Sequence, residues 1–176
     1  MDNPLINRRL ASHVRQVAEY YPVLSVAGPR QAGKSTMLKQ VFPDYHYVSL
    51  EDPDTNAFAT TDARGFFERY QEGIIIDEAQ KVPELFSYLQ GVVDQDRAPG
   101  RFILSGSQNY LMHRNITQSL AGRIDLSTLF PFDFGEMSWL GDWDQSAEHA
   151  ILNGFYPGKL TNNIPNKIFY SNYIKT

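Results

Sequence analysis

The chain has 176 residues, 42% of them hydrophobic, which bounds it to one domain of ordinary size with a real core. It has no cysteine, which excludes a disulfide framework, a thiol nucleophile and a thiolate metal site. Its 16 basic and 20 acidic residues leave a net charge of −4, which speaks against a broad nucleic-acid-binding face but leaves room for a small basic patch.

No apolar run approaches membrane-spanning length and no signal-peptide core opens the chain, so a soluble cytoplasmic protein with no membrane contact is expected. The four histidines, His13, His46, His113 and His149, lack ligand spacing. A metal held by protein ligands alone is therefore not expected.

Ile6, Leu10, Val14, Val17, Ala18 and Tyr21 recur at helical spacing, predicting an amphipathic helix that Pro22 ends. Val23-Leu24-Ser25-Val26-Ala27 follows as a short apolar run of the kind a buried strand requires. It feeds into Gly28-Pro29-Arg30-Gln31-Ala32-Gly33-Lys34-Ser35, which matches G-x-x-x-x-G-K-[ST]. The glycines let successive N–H groups converge on a phosphate, and the helix that starts there adds its positive dipole end. Lys34 brings a point charge to the β- and γ-phosphates, and Ser35 offers a hydroxyl to Mg²⁺. These eight residues and Thr36 are the expected nucleotide contacts. The pattern gives the Lys34 charge no protein partner. Behind the loop, Met37, Leu38 and Val41 space as the inner face of a helix that stops before Pro43.

A second strand is predicted over 45–50. Glu51, Asp52 and Asp54 then read as a turn and a helix N-terminus rather than a metal site. Residues 55–70 read as two helical pieces broken near Gly65, with Phe58, Phe66, Phe67 and Tyr70 in the core. Gly73-Ile74-Ile75-Ile76-Asp77-Glu78 gives a third strand, and Pro83 opens a helix with a Leu85, Phe86, Leu89, Val92 and Val93 stripe. A fourth strand runs over 101–106, a helical stretch over 107–120 ends near Gly122, and a fifth strand runs over 124–129. Strands alternating with helices predict a three-layer α/β sandwich on a parallel five-stranded sheet. Beyond Phe130, Pro131, Phe132, Phe134, Trp139 and Trp143 form an aromatic connection that the pattern does not place. A short helix over 147–152, a turn over 154–158 and the opening of a helix over 168–174 follow. Phe169, Tyr170, Tyr173 and Ile174 there await burial by something downstream, so the chain is expected to be a fragment: an ATPase core over 1–135 and an extension over 136–176.

Asp77 and Glu78 stand at a strand's carboxyl end, where ligands bind in open parallel sheets. The first suits Mg²⁺, usually through water, and the second suits proton abstraction from an attacking water. As adjacent strand residues they are expected to face opposite ways. Ser105, Ser107, Gln108 and Asn109, at the end of the fourth strand, are alternatives for sensing the γ-phosphate or orienting that water. Arg123 begins the fifth strand, and five strand residues span roughly 16 Å, too far to reach its own subunit's γ-phosphate. It is a candidate arginine finger in trans within a homo-oligomer, with Arg114 the second candidate. The competing reading is a structural ion pair, for example with Asp125.

Gly28 to Ser35, Ser49-Leu50-Glu51-Asp52-Pro53-Asp54, Ile76-Asp77-Glu78-Ala79-Gln80 and Leu104-Ser105-Gly106-Ser107-Gln108-Asn109 together resemble the prokaryotic AAA-type ATP-binding proteins. In that family a C-terminal domain of unknown function follows the ATPase module. Ser119-Leu120-Ala121-Gly122-Arg123 and Leu129-Phe130-Pro131-Phe132 fit as well. The resemblance covers about residues 5–175. It implies a P-loop fold with the phosphate-loop strand central, Glu78 as the catalytic carboxylate, and an effector domain missing from this chain. The leading expectation is Mg²⁺-dependent ATP hydrolysis. A slow-turnover ATP-dependent switch is the alternative. A kinase fits less well, because Glu78 is superfluous where a substrate hydroxyl is the acceptor. No N-K-x-D-like string marks guanine, so ATP is the expected nucleotide.

Overall fold

The computed structural model describes residues 7–107, 119–138 and 146–175. Its sheet is five-stranded and wholly parallel, in the order β2-β3-β4-β1-β5. The strands are β1 (Val23–Ala27), β2 (His46–Ser49), β3 (Ile74–Asp77), β4 (Phe102–Gly106) and β5 (Ile124–Thr128). The phosphate-loop strand β1 is interior, flanked by β4 and β5, but the middle strand is β4.

The pleat divides the apolar residues between two cores. Val23, Ala27, Ile74, Ile76, Phe102 and Leu104 face one side, packing on helices α3 (Pro53–Thr61), α4 (Ala63–Arg69) and α5 (Glu84–Gln95). Leu24, Val26, Ile75 and Ile103 face the other, against α1 (Arg9–Val17) and α2 (Lys34–Val41). Residues of both parities are therefore apolar, so β1, β3 and β4 are buried throughout, whereas the edge strands are partly exposed.

Several expected boundaries shift. The break between α3 and α4 falls at Asp62, not Gly65: the Asp62 carboxylate accepts from Gly65 N at 2.8 Å and caps α4. Gly65 sits inside that cap, where a Cβ would run into the Asp62 carboxylate. Asp52 caps α3 through Thr55 N, with Pro53 in the first turn, as the acidic turn predicts. Phe66 and Phe67 are buried, and Phe58 and Tyr70 pack against them.

Three features of the C-terminal part depart from the pattern or complete it. Within the aromatic connection, α6 (Phe134–Met137) forms behind a capping box made by Asp133 and Glu136. After α7 (Ala147–Asn153), the expected turn gives way at Pro157 to a short helix, α8 (Pro157–Thr161). Phe169, on α9 (Asn166–Tyr173), is buried within the chain itself, stacking on Tyr173 with ring centroids 5.8 Å apart and packing on Tyr156 at 5.5 Å. Ile174 stays exposed, as expected. Trp139, Trp143 and most of the predicted 107–120 helix lie outside the described residues.

Candidate functional site

The loop between β1 and α2 owes its shape to left-handed backbone. Gly33 has φ 89° and Gln31 has φ 60°. Gly28 is fixed by close approach: a Cβ there would run into the Leu129 carbonyl. Below the loop, Arg30, Gln31, Gly33, Lys34, Ser35, Glu51, Asp77 and Glu78 line a cleft of about 380 Å³. The cleft lies at the carboxyl ends of β1 and β3. Thr36 is exposed and does not line it.

Lys34 has protein partners, contrary to the pattern's implication. Its Nζ donates to Gly28 O at 2.9 Å and Pro29 O at 3.0 Å, so the ammonium braces its own loop. Burial lowers its pKa, although Glu78 and Asp77 pull the other way.

Asp77 is the most heavily hydrogen-bonded group of the site. Oδ2 accepts from Ser35 Oγ at 2.7 Å and from Tyr47 Oη at 2.6 Å. Oδ1 accepts from Ser105 Oγ and from Glu78 N at 3.1 Å. Burial would raise its pKa, but the hydroxyls of Ser105, Tyr47 and Ser35 outweigh that and hold it below the usual carboxylate range. Tyr47 responds in the opposite sense: burial and the bond to Asp77 push its phenol up to about 12.

Glu78 does not face away from Asp77. The chain leaves the strand there with φ 54° and ψ 44°, and this left-handed turn aims both carboxylates at one cleft. Glu78 Oε2 accepts from Ser107 Oγ at 2.9 Å and from the Gln80 amide. Ser105 thus serves Asp77, and Ser107 serves Glu78. Gln108, Asn109 and Arg114 lie outside the described residues. Gln80 is buried and its Oε1 has no hydrogen-bond partner among the described residues.

Arg123 stands apart from this cluster. Its guanidinium grips Asp94 of α5 bidentately, Nε at 2.6 Å and Nη2 at 3.0 Å, and Nη1 reaches Ala121 O. The structural ion pair of the competing reading does form, with Asp94 rather than with Asp125. Asp125 accepts from Ser127 Oγ at 2.8 Å.

A second group of residues braces the loop from behind, and the motifs did not point to it. Arg8, before α1, is 7% exposed. It donates to Ala32 O in the loop at 2.6 Å, to Phe130 O after β5 at 2.6 Å and to Glu136 Oε1 on α6 at 3.1 Å. Its guanidinium also lies 4.7 Å over the Phe132 ring. From the C-terminal part, Tyr173 Oη donates to Arg30 O at 3.4 Å.

The sheet order, the loop and the paired carboxylates define a P-loop ATPase fold. The family model described as "AAA domain" matches residues 20–138, and the chain belongs to that family. An uncharacterized protein of Mycobacterium tuberculosis and one of Mycobacterium bovis are each 31% identical over 161 residues, 89% of this chain. The chain spans 35% of the length of these curated relatives. Among solved structures, the Walker-type ATPase of Pyrococcus abyssi aligns over 97% of this chain and 72% of its own, with TM-score 0.62 at 18% identity. AMPPCP-bound DnaA from Aquifex aeolicus aligns over 91% of this chain and 61% of its own, with TM-score 0.59 at 14% identity. Both likenesses are of fold. No helix among the described residues is long and apolar enough to cross a membrane.

Proposed function

We propose that the chain binds ATP with Mg²⁺ on the Gly28 to Ser35 loop and hydrolyses it, and that the turnover moves an attached C-terminal effector domain. The observation that carries this reading is the convergence of Lys34, Ser35, Asp77 and Glu78 on one cleft beside the loop. Loop N–H groups and Lys34 bind the phosphates, and Arg30, Gln31 and Thr36 flank them. The donor set fits Mg²⁺: Ser35 and Asp77 are hard oxygen donors, too few to strip the ion of its waters and phosphates. Among the described residues no cluster of three or more histidines or carboxylates offers an all-protein site instead. When bound, Mg²⁺ neutralises charge on the phosphate oxygens. Glu78 takes the proton of the attacking water. Gln108 and Asn109, beyond Ser107, remain candidates for orienting that water.

The experiment is phosphate release beside nucleotide binding. Glu78→Gln is expected to keep ATP affinity and slow hydrolysis by about 10²–10⁴-fold. Equal turnover in both proteins rejects the water-activating role.

One observation favours the slow-switch reading as the second choice. Ser107 and Gln80 both hold Glu78 Oε2, so until those bonds loosen only Oε1 is open to the proton of an attacking water. Single-turnover hydrolysis with and without the full-length partner domain separates the two.

The core over 1–135 and the extension over 136–176 are read as coupled through Glu136 and Tyr173. Soluble, cytoplasmic homo-oligomers belong to the same reading, with Arg123 as a finger in trans after release from Asp94. Specific activity that rises with concentration, and a rise abolished by Arg123→Ala at unchanged ATP affinity, supports that role. Concentration-independent activity leaves Arg123 as a brace for α5.

A further inference from the structure

Of the four donors on Asp77, three follow from the phosphate loop, the adjacent backbone and β4. The fourth, Tyr47, belongs to no recognised motif. It comes from the edge strand β2, where it pairs in register with Ile75, two residues before Asp77. A strand advances about 3.3 Å per residue, so the Asp77 backbone lies roughly 7 Å further along. Only a long, rigid side chain leaning along the strand spans that gap and ends in a hydroxyl. Tyr47 does so at 2.6 Å from Oδ2. Its ring is pinned from the other side by Lys39 of α2, whose Nζ lies 3.5 Å from the ring centroid. The helix that carries Ser35 and the strand that carries Asp77 are thereby linked through one phenol.

Resting on the nucleotide reading above, we propose that Tyr47 is a positioning residue for Mg²⁺: its phenol holds the Asp77 carboxylate in the orientation that presents Oδ2 beside Ser35. An aspartate's terminal torsion is broad, so its two oxygens need separate anchors. Ser105 and Glu78 N anchor Oδ1 only. On Oδ2 the remaining donor is Ser35, the hydroxyl offered to the ion itself. Partners of this kind behind a ligating carboxylate are typically worth about 10–100-fold in metal affinity.

The test uses the whole chain with a non-hydrolysable ATP analogue and Mn²⁺ as the spectroscopic probe, read by electron paramagnetic resonance. Tyr47→Phe is expected to raise half-saturating Mn²⁺ by about 10–100-fold. Analogue affinity in EDTA is expected to stay at the wild-type value, and the urea midpoint of the free protein to fall by no more than the loss of one hydrogen bond to a charged group. Lys39→Met, which frees the ring but keeps the phenol, shifts Mn²⁺ binding in the same direction by less. Superimposable Mn²⁺ titrations for wild type and Tyr47→Phe overturn the inference. So does an equal loss of affinity in EDTA, which makes Tyr47 a brace of the whole loop. Wild-type protein that binds the analogue but no Mn²⁺ overturns this role alone, whereas failure to bind the analogue at all rejects the nucleotide site itself.

Discussion

The phosphate loop has two sides that are built differently. On the cleft side, Lys34, Ser35, Asp77 and Glu78 line one cleft within short reach of two sequence patterns; Ser35 Oγ and Glu78 N both donate to the Asp77 carboxylate, while Lys34 donates to loop carbonyls. On the far side, Arg8 joins groups 24, 122 and 128 residues away in sequence: Ala32, Phe130 and Glu136. In the proposed reading the first side carries the chemistry, and the second carries the geometry. The contrast shows that a phosphate-binding pattern specifies what the loop does, while a buried ion pair outside the pattern decides where the loop stands.

Breaking the far side is expected to cost the fold most. The Arg8 and Glu136 side chains are both about 5% exposed. Removing one partner leaves the other charge buried and unpaired, which costs about 3–5 kcal/mol. Arg8→Met and Glu136→Leu singly are therefore expected to lower stability in urea unfolding by that amount. The double variant is expected to lose less than the sum of the two. Strict additivity breaks the comparison, because it makes the pair two unrelated contacts.

The cleft side responds more in binding than in folding. Lys34→Met is expected to weaken triphosphate binding by about 1.5–3 kcal/mol, the usual worth of a charge-assisted hydrogen bond, or roughly 10–100-fold. Because Lys34 also ties Gly28 O and Pro29 O, some loop order goes with it. Its lowered pKa adds a pH signature. The unfolded chain holds this proton more tightly than the fold does, so the free protein gains stability as pH rises through the folded value toward the ordinary lysine value. Triphosphate affinity runs the other way, falling as the ammonium is lost, and does so at lower pH than an ordinary lysine would show. Urea unfolding across the alkaline range checks the stability limb and isothermal titration the affinity limb, and Lys34→Met is expected to flatten both.

What was legible in the sequence follows the same division. The strand-loop-helix unit, the parallel order and the acidic cap at Asp52 were readable because each depends on neighbours a few residues apart. Glu78 was misread in direction because strand alternation was assumed through it, and a single left-handed residue turns the side chain back. Asp62 was overlooked as the helix break because Gly65 looked like the interruption, although that glycine serves the cap. Tyr47 falls inside the predicted second strand, and no pattern in the sequence singles out Arg8 or Glu136. Their partners lie on elements that only the folded topology brings together, and no local pattern reports such a contact.

The smallest effect expected is at Asp133, which tests how the two sides are joined. Glu136 uses both oxygens. Oε1 accepts from Arg8 Nε and from Arg9 N at 2.7 Å, and Oε2 accepts from Asp133 N at 3.1 Å. The Asp133 side chain in return accepts from Glu136 N at 2.7 Å, completing the capping box. Asp133→Ala removes that returned bond but keeps the backbone N–H that holds Oε2. It also removes an exposed pair with Arg9, where both side chains are largely solvated and the contribution is small. The expected loss is about 1 kcal/mol, the usual cost of a lost N-cap, and Asp133→Asn is expected to recover most of it. Urea unfolding measures both. A loss approaching that of Glu136→Leu means that the cap, rather than Arg8, sets the position of the Glu136 carboxylate, and the far side of the loop is then anchored from α6.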